Sequence, residues 1–257
     1  MDKPAIFDFG EDWSIVFVPY EVNKLMGEII QSLYPGIGNK NWVVVGHGDF
    51  IDSVREINPY EPGIYMPLTR KDVEALKPNR IFLGHIHQPI SGDTVVYAGS
   101  PCGLDINETG HRYFIIFDSD RNEIIKQKVE NDILYFQASL IVFPTENSFE
   151  LLGRQIQDCI KGWDIQSADE KKARIRVKVS GYSSDRKALE KFIRKEFKNF
   201  EFEKEPDISE AKFSDDSDLD FIFEKCLDEL LNLGDELETK SMEHEIYNSI
   251  LNLIYGG

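Results

Sequence analysis

Three scarcities bound what this chain can be. Cysteine occurs only at Cys102, Cys159 and Cys226. An odd, widely spaced set excludes a disulfide framework and a CxxC metal or redox site, so reduced thiols are expected. Long apolar runs are missing too. The longest stretches, such as "SLIVFP" and "SIVFVP", fall far short of the roughly 20 residues that cross a bilayer. The N-terminus lacks the basic start and apolar middle of a secretory signal. A soluble, cytoplasmic protein with no membrane partner is the expectation. Positive charge is the third scarcity: 29 Lys and Arg face 46 Asp and Glu, a net charge of −17.

The distribution of that charge says more than its sum. Residues 201–257 hold 17 acids and 4 bases, whereas residues 171–198 hold 11 bases and 3 acids. A short basic island therefore sits between acidic regions, and divalent ions bound in the front region would offset part of its acidity. With 257 residues, 41% of them hydrophobic, the chain can bury a core and make one or two domains.

Glycine and proline divide the front of the chain. "AIFDFGEDWSIVFVPY" reads as a hairpin around Gly10, Glu11 and Asp12. Residues 21–34 have helical spacing, with Leu25, Met26, Ile29, Ile30 and Leu33 on one face. "NWVVVGHGDF" is a β-branched run ending at Gly46 and His47, and "TRKDVEALKP" is a short helix capped by Thr69. "RIFLGHIH" and "TVVYAGSP" are further apolar runs stopped by glycine. The alternation predicts an α/β fold whose strands are buried on both sides.

The histidines stand at the ends of those strands. Of five in the chain, His47 follows one run and His85 and His87 follow the next, with "GSP" (residues 99–101) after a third. Polar groups that do chemistry in such sheets collect past the carboxyl ends of the strands. Residues two apart in extended backbone face one side, so His85 and His87 are expected to share a site with His47. Neutral imidazole is the commonest metal ligand, and three of them form a plausible half of a metal cage. His111 and His244 have no such company and are expected to be ordinary surface residues.

These residues also carry a resemblance. "VVVGHG", "YMPLTRKDVEALKPNRIFLGHIHQP" and "VVYAGSPCGLDINETGHRYFIIFD" resemble the second half of the calcineurin-like metallophosphoesterases. Within them, "GHIHQP", "YAGSP" and "DINETG" look like the SbcD-type double-strand-break repair nucleases, which work with an SMC-like ATPase. The resemblance is close over residues 1 to about 135 and looser beyond. It implies a partial αββα sandwich over 1–135 and a two-metal site, usually manganese, with His47 and His85 on one ion and His87 on the other. It further implies exonuclease or other phosphodiesterase activity in DNA repair.

The family's D-x-H, GDxxD and GNHD motifs do not occur in this sequence. Asp8 could stand for the first, but Gly10 occupies the histidine position, and Asp8 is expected to point outward from the hairpin. The bridging carboxylate and the histidine that protonates the leaving group are thus missing. Two dications roughly 3.5–4 Å apart repel strongly without a carboxylate between them. Three imidazoles are therefore expected to hold at most one ion, and to favour zinc, nickel or copper over manganese. The chain is expected to be incomplete and inactive alone: either a half-site finished by a complementary N-terminal phosphoesterase half that also covers exposed apolar sheet, or a fragment from a displaced start.

The region after 135 reads as a second α/β module over 136–205, the position of the family's capping domain. In "ARIRVKV", Ala173, Ile175, Val177 and Val179 face one side and Arg174, Arg176 and Lys178 the other. With Lys187, Lys191 and Arg194 on the next helix they form a candidate DNA-binding surface; a solvated strand face is the plain alternative. Residues 206–218 read as an acidic linker, and 219–257 as a helical hairpin. Its apolar stripe, including Leu219, Ile222, Phe223, Leu227, Leu230, Ile246 and Ile250, either packs on its own domain or docks the ATPase. A homodimer within that complex is a further expectation. The leading function is a subunit of a metal-dependent DNA nuclease. A catalytically silent scaffold of the same fold and a small-molecule phosphodiesterase are the alternatives.

Overall fold

The computed structural model of the chain describes residues 2–52, 63–213, 217–232 and 240–255. They form two compact units, Met1–Gly103 with His111–Asn131, and Leu104–Gly110 with Asp132–Gly257. The fold is mixed α/β, with parallel and antiparallel strand pairs.

The first unit runs β1 (Ala5–Phe9), β2 (Trp13–Val18), α1 (Met26–Leu33), β3 (Asn41–His47), β4 (Phe50–Ile51), β5 (Leu68–Thr69), α2 (Arg70–Leu76), β6 (Arg80–Gly84), β7 (Ile90–Ser91), β8 (Val95–Tyr97), β9 (Tyr113–Asp118) and β10 (Glu123–Lys128). Its main sheet has the order β1-β2-β3-β6-β8-β7. The four inner strands are parallel and the two edges antiparallel. The expected hairpin is present, with Phe9 opposite Trp13. Thr69 caps α2 in a reciprocal box with Asp72, and Lys77 ends the helix in left-handed backbone.

One face of this sheet is closed. Val16, Val18, Val44 and Ile81 pack beneath Met26 and Ile30 of α1, all at most 1% exposed, each burial contributing about 1.5–3 kcal/mol. Leu25, expected on the same helical face, is exposed because α1 begins one residue after it. The opposite face is only partly covered. The β9–β10 hairpin lays Phe117 against Trp13 and Phe82, beside an open apolar cavity of about 280 Å³. Phe7 and Phe9 remain exposed on that face, and Phe114, Ile116 and Ile125 are exposed on the outer side of the hairpin. Burial on both sides of every strand is thus not reached: β2 and β6 alternate, whereas β8 is buried throughout.

The second unit contains β11 (Leu134–Val142), α3 (Ser148–Gly162), β12 (Ala173–Ser183), α4 (Arg186–Glu196), β13 (Glu201–Phe202), β14 (Asp207–Phe213), α5 (Ser217–Asn232) and α6 (Lys240–Tyr255). β12 is central, parallel to β11 on one side and to β13 and β14 on the other. Ala173, Ile175, Val177 and Val179 are at most 1% exposed and pack with Leu152, Ile156, Leu189, Ile193 and Phe197, as the alternation predicts. Gly181 of β12 has φ +101°, and a Cβ there would run into the Val142 carbonyl. On the outer edge of β11, the Gln155 side chain donates to the Ile141 carbonyl at 2.8 Å and accepts from the Ile141 N–H at 3.0 Å.

Three boundaries differ from the sequence reading. The second unit starts at 132 rather than 136, and it also takes residues 104–110. There the Gln137 side chain donates to the Ile106 carbonyl and the Gly110 N–H to the Tyr135 carbonyl, both at 2.8 Å. The expected acidic linker is largely strand: β14 pairs with β12 because the central strand offers it a free edge. The C-terminal helices form as expected, and Phe223, Leu227 and Leu251 pack on Ile141, Phe143 and Tyr182 of the same unit. Among the described residues no helix is long and apolar enough to cross a membrane, and all three cysteines are free.

Candidate functional site

The parallel register brings the expected strand ends together. His47 lies opposite Gly84, and Leu83 opposite Tyr97, so the loops after β3, β6 and β8 leave the same end of the sheet. The His47 and His85 rings are 5.6 Å apart, edge to face. Gly84 allows this approach, since a Cβ there would lie 2.8 Å from His47 Nδ1. Tyr65 packs on His85 at 4.7 Å between ring centroids, and Tyr20 flanks His47 at 6.2 Å.

Asp49 joins this pair, and the sequence reading passed over it. Only 4% exposed, it places Oδ1 3.6 Å from His85 Nε2, and its Oδ2 accepts from the Tyr65 N–H at 2.8 Å. Its backbone is also held: Asp49 N–H donates to the Tyr65 carbonyl, and the Asp49 carbonyl accepts from the Leu68 N–H, both at 2.8 Å. The Tyr97 hydroxyl braces the same turn, donating to the Gly48 carbonyl at 2.9 Å and accepting from the Phe50 N–H at 2.7 Å. At Gly48 a Cβ would meet the Met66 and Tyr65 carbonyls at 2.6 and 2.7 Å. The only local signal for Asp49 is its spacing, two residues after His47.

His87 lies two residues beyond His85 on the loop after β6. Among the described residues no three His, Cys, Asp or Glu side chains are grouped to hold a metal ion. The expectation assumed extended backbone through 85–87, but His85 has φ +100°. That left-handed turn breaks the two-residue alternation, and it is a sparsely populated conformation for a non-glycine residue. His87 is exposed. Its carbonyl accepts from Ser100 N–H and from Arg112 Nη1, both at 3.0 Å, tying "GSP" and the buried Arg112 to the histidine loop. Asp8 stands away from this chemistry on β1, bound to Lys40 at 2.9 Å and to Ser14. Those contacts, Lys40 first, hold its carboxyl below the ordinary value of 3.8.

The donors fit part of one ion's shell. Two imidazoles suit a borderline dication such as zinc or nickel, but they do not supply the bridging carboxylate that a two-ion manganese centre needs.

The basic face of β12 is internally compensated. Arg174 pairs with Glu201 at 2.7 Å, Arg176 with Glu203 at 3.1 Å, and Arg194 with Glu205. Lys178, Lys187 and Lys191 are exposed. The acids of β13 and the following turn, counted with the tail in the sequence, lie in space beside the island. Of the candidate docking residues, Phe223 and Leu227 are buried in their own unit, which removes them from any docking surface. Ile250 packs against that cluster, Leu219 and Ile246 are half-buried, and Ile222 is exposed. The side chains of Leu230 and His244 lie outside the described residues.

No family model matches this chain, and no curated protein matches it.

Proposed function

We propose that this chain is a subunit of a metal-dependent phosphodiesterase acting on DNA, related to the SbcD-type nucleases, and that its site is one half of a two-ion centre. The observation that carries the reading is the His47–His85 pair at the ends of adjacent parallel strands, with buried Asp49 beside it. In this reading His47 and His85 hold one ion, and His87, on its tethered loop, contributes to the second. The chemistry such ions supply when bound is polarisation of a phosphoryl oxygen and a hydroxide nucleophile at neutral pH. The braced turn at 48–50 and the carbonyl tether of His87 hold these donors in place.

A complementary phosphoesterase segment supplies the remaining carboxylates. The half-covered sheet face, with Phe7 and Phe9 exposed, and the outer face of the β9–β10 hairpin, with Phe114, Ile116 and Ile125 exposed, support a covering layer of that kind. Exposed Phe221, Ile222 and Leu253 on the C-terminal helices support docking of an ATPase partner there.

The test is manganese-dependent cleavage of linear DNA by this chain, alone and together with a polypeptide bearing the D-x-H, GDxxD and GNHD motifs. Cleavage that requires both and is lost on His85→Ala supports the proposal. No cleavage under any combination selects the silent scaffold. Two tight manganese sites in the isolated chain would overturn the half-site reading.

A further inference from the structure

We infer that Asp49 is a positioning residue that fixes the tautomer of His85, keeping the proton on Nε2 and presenting Nδ1 as the ligating atom. The inference rests on reading His85 as a metal ligand, but its central claim concerns the proton and not the ion.

The geometry separates the two ring nitrogens. The buried Asp49 carboxylate lies 3.6 Å from His85 Nε2, and at that distance its charge favours a protonated nitrogen facing it. A ligating histidine commonly gives its other ring nitrogen to a carboxylate, which sets both the tautomer and the orientation of the ring. Asp49 is held on both its side chain and its backbone. Its second oxygen accepts from the Tyr65 N–H at 2.8 Å, and its own N–H and carbonyl are bound to Tyr65 and Leu68. Tyr65 in turn packs on the His85 ring, tilted by 45° with 4.7 Å between centroids, so one residue contacts both the carboxylate and the imidazole.

The strained backbone fits the same role. His85 has φ +100°, a sparsely populated conformation that persists where the surroundings over-determine it. Here the Tyr65 ring and the carboxylate are the surroundings that fix the imidazole.

Asp49→Asn separates charge from shape. The asparagine oxygen can still accept from the Tyr65 N–H, which leaves the amide NH₂ facing His85 Nε2 and requires that nitrogen to accept. Nitrogen-15 spectra of the imidazoles, recorded at alkaline pH where they are neutral, read the tautomer directly. The native chain is expected to show His85 with Nε2 protonated. In Asp49→Asn the proton is expected on Nδ1, with zinc affinity lower by roughly 10- to 100-fold. On adding zinc to the native chain, the Nδ1 resonance should move while Nε2 keeps its proton.

A native spectrum with the proton on Nδ1, an unchanged tautomer in a folded Asp49→Asn, or zinc on Nε2 would each overturn the inference. If Asp49→Asn does not fold, the native apo and zinc spectra decide alone. Zinc that leaves the native His85 resonances unmoved would instead remove the metal-site reading, while the apo tautomers still judge Asp49.

Discussion

Gly84→Ala tests the closeness of the two histidines most directly. A methyl at residue 84 would sit 2.8 Å from His47 Nδ1, roughly 0.7 Å inside an ordinary contact of about 3.5 Å. The obstacle is a side chain, so the His47 ring can turn aside at a cost of about 0.5–1.5 kcal/mol for leaving its rotamer. For a unit of this size that corresponds to a fall in melting temperature of only several degrees. The loss of geometry should be larger than the loss of stability, with the affinity of the isolated chain for zinc falling at least tenfold. Thermal unfolding and zinc titration against a competing chelator measure the two separately. Gly181→Ala is the contrasting case. There the obstacle is the Val142 carbonyl, and φ is +101°, so nothing yields cheaply; overpacking and left-handed strain together cost roughly 2–5 kcal/mol. Unchanged zinc affinity in a folded Gly84→Ala variant, or a destabilisation as large as that of Gly181→Ala, would refute the argument that this glycine exists to admit the imidazole.

Three further outcomes follow from contacts elsewhere. Gln155→Ala removes both hydrogen bonds to Ile141 and should destabilise the second unit by about 1–3 kcal/mol in urea unfolding; a loss below a few tenths would mean that the edge of β11 does not need its clamp. Glu201→Gln with Glu203→Gln frees Arg174 and Arg176 from their partners, so log K against log salt for binding to duplex DNA should steepen by up to about 0.9 per arginine that gains a phosphate. An unchanged slope would show that this face does not meet the backbone. The Asp8 carboxyl is held below 3.8 chiefly by Lys40, so its stabilising contribution is present above the unfolded value and is lost as pH falls through the lowered folded value. In Lys40→Met the Asp8 titration followed by NMR should move up toward 3.8, and a midpoint that stays put would discount the pair.

Local pattern carried much of the fold and the convergence of His47 and His85 at one end of the sheet. The alternation of Ala173 to Val179, the cap at Thr69 and the hairpin at Gly10 are local features, and each appears where its residues imply. His47 and His85 were legible because a glycine beside each marks the end of an apolar run. His87 was placed by a rule that holds only in extended backbone, and the left-handed turn at His85 is set by tertiary packing. Among 46 acidic residues Asp49 stands out only by its spacing from His47; its place beside His85 is held by a hydrogen bond from a residue 16 positions away. β14 was hidden by composition. "DISEAKF" is acidic enough to read as linker, and only the vacant side of β12 makes it a strand.

The excursion of residues 104–110 into the second unit bears on how this protein can be cut. A fragment that ends at 131 would carry a seven-residue loop torn from its seat, with Ile106 stripped of its burial. One that starts at 132 would leave the Tyr135 carbonyl and the Gln137 amide without the groups that now satisfy them. Such a bared margin is a template for a stranger's strand. Truncation at the apparent boundary should therefore yield clumping material, whereas a version that grafts 104–110 ahead of 132 through a short glycine tether should remain monodisperse.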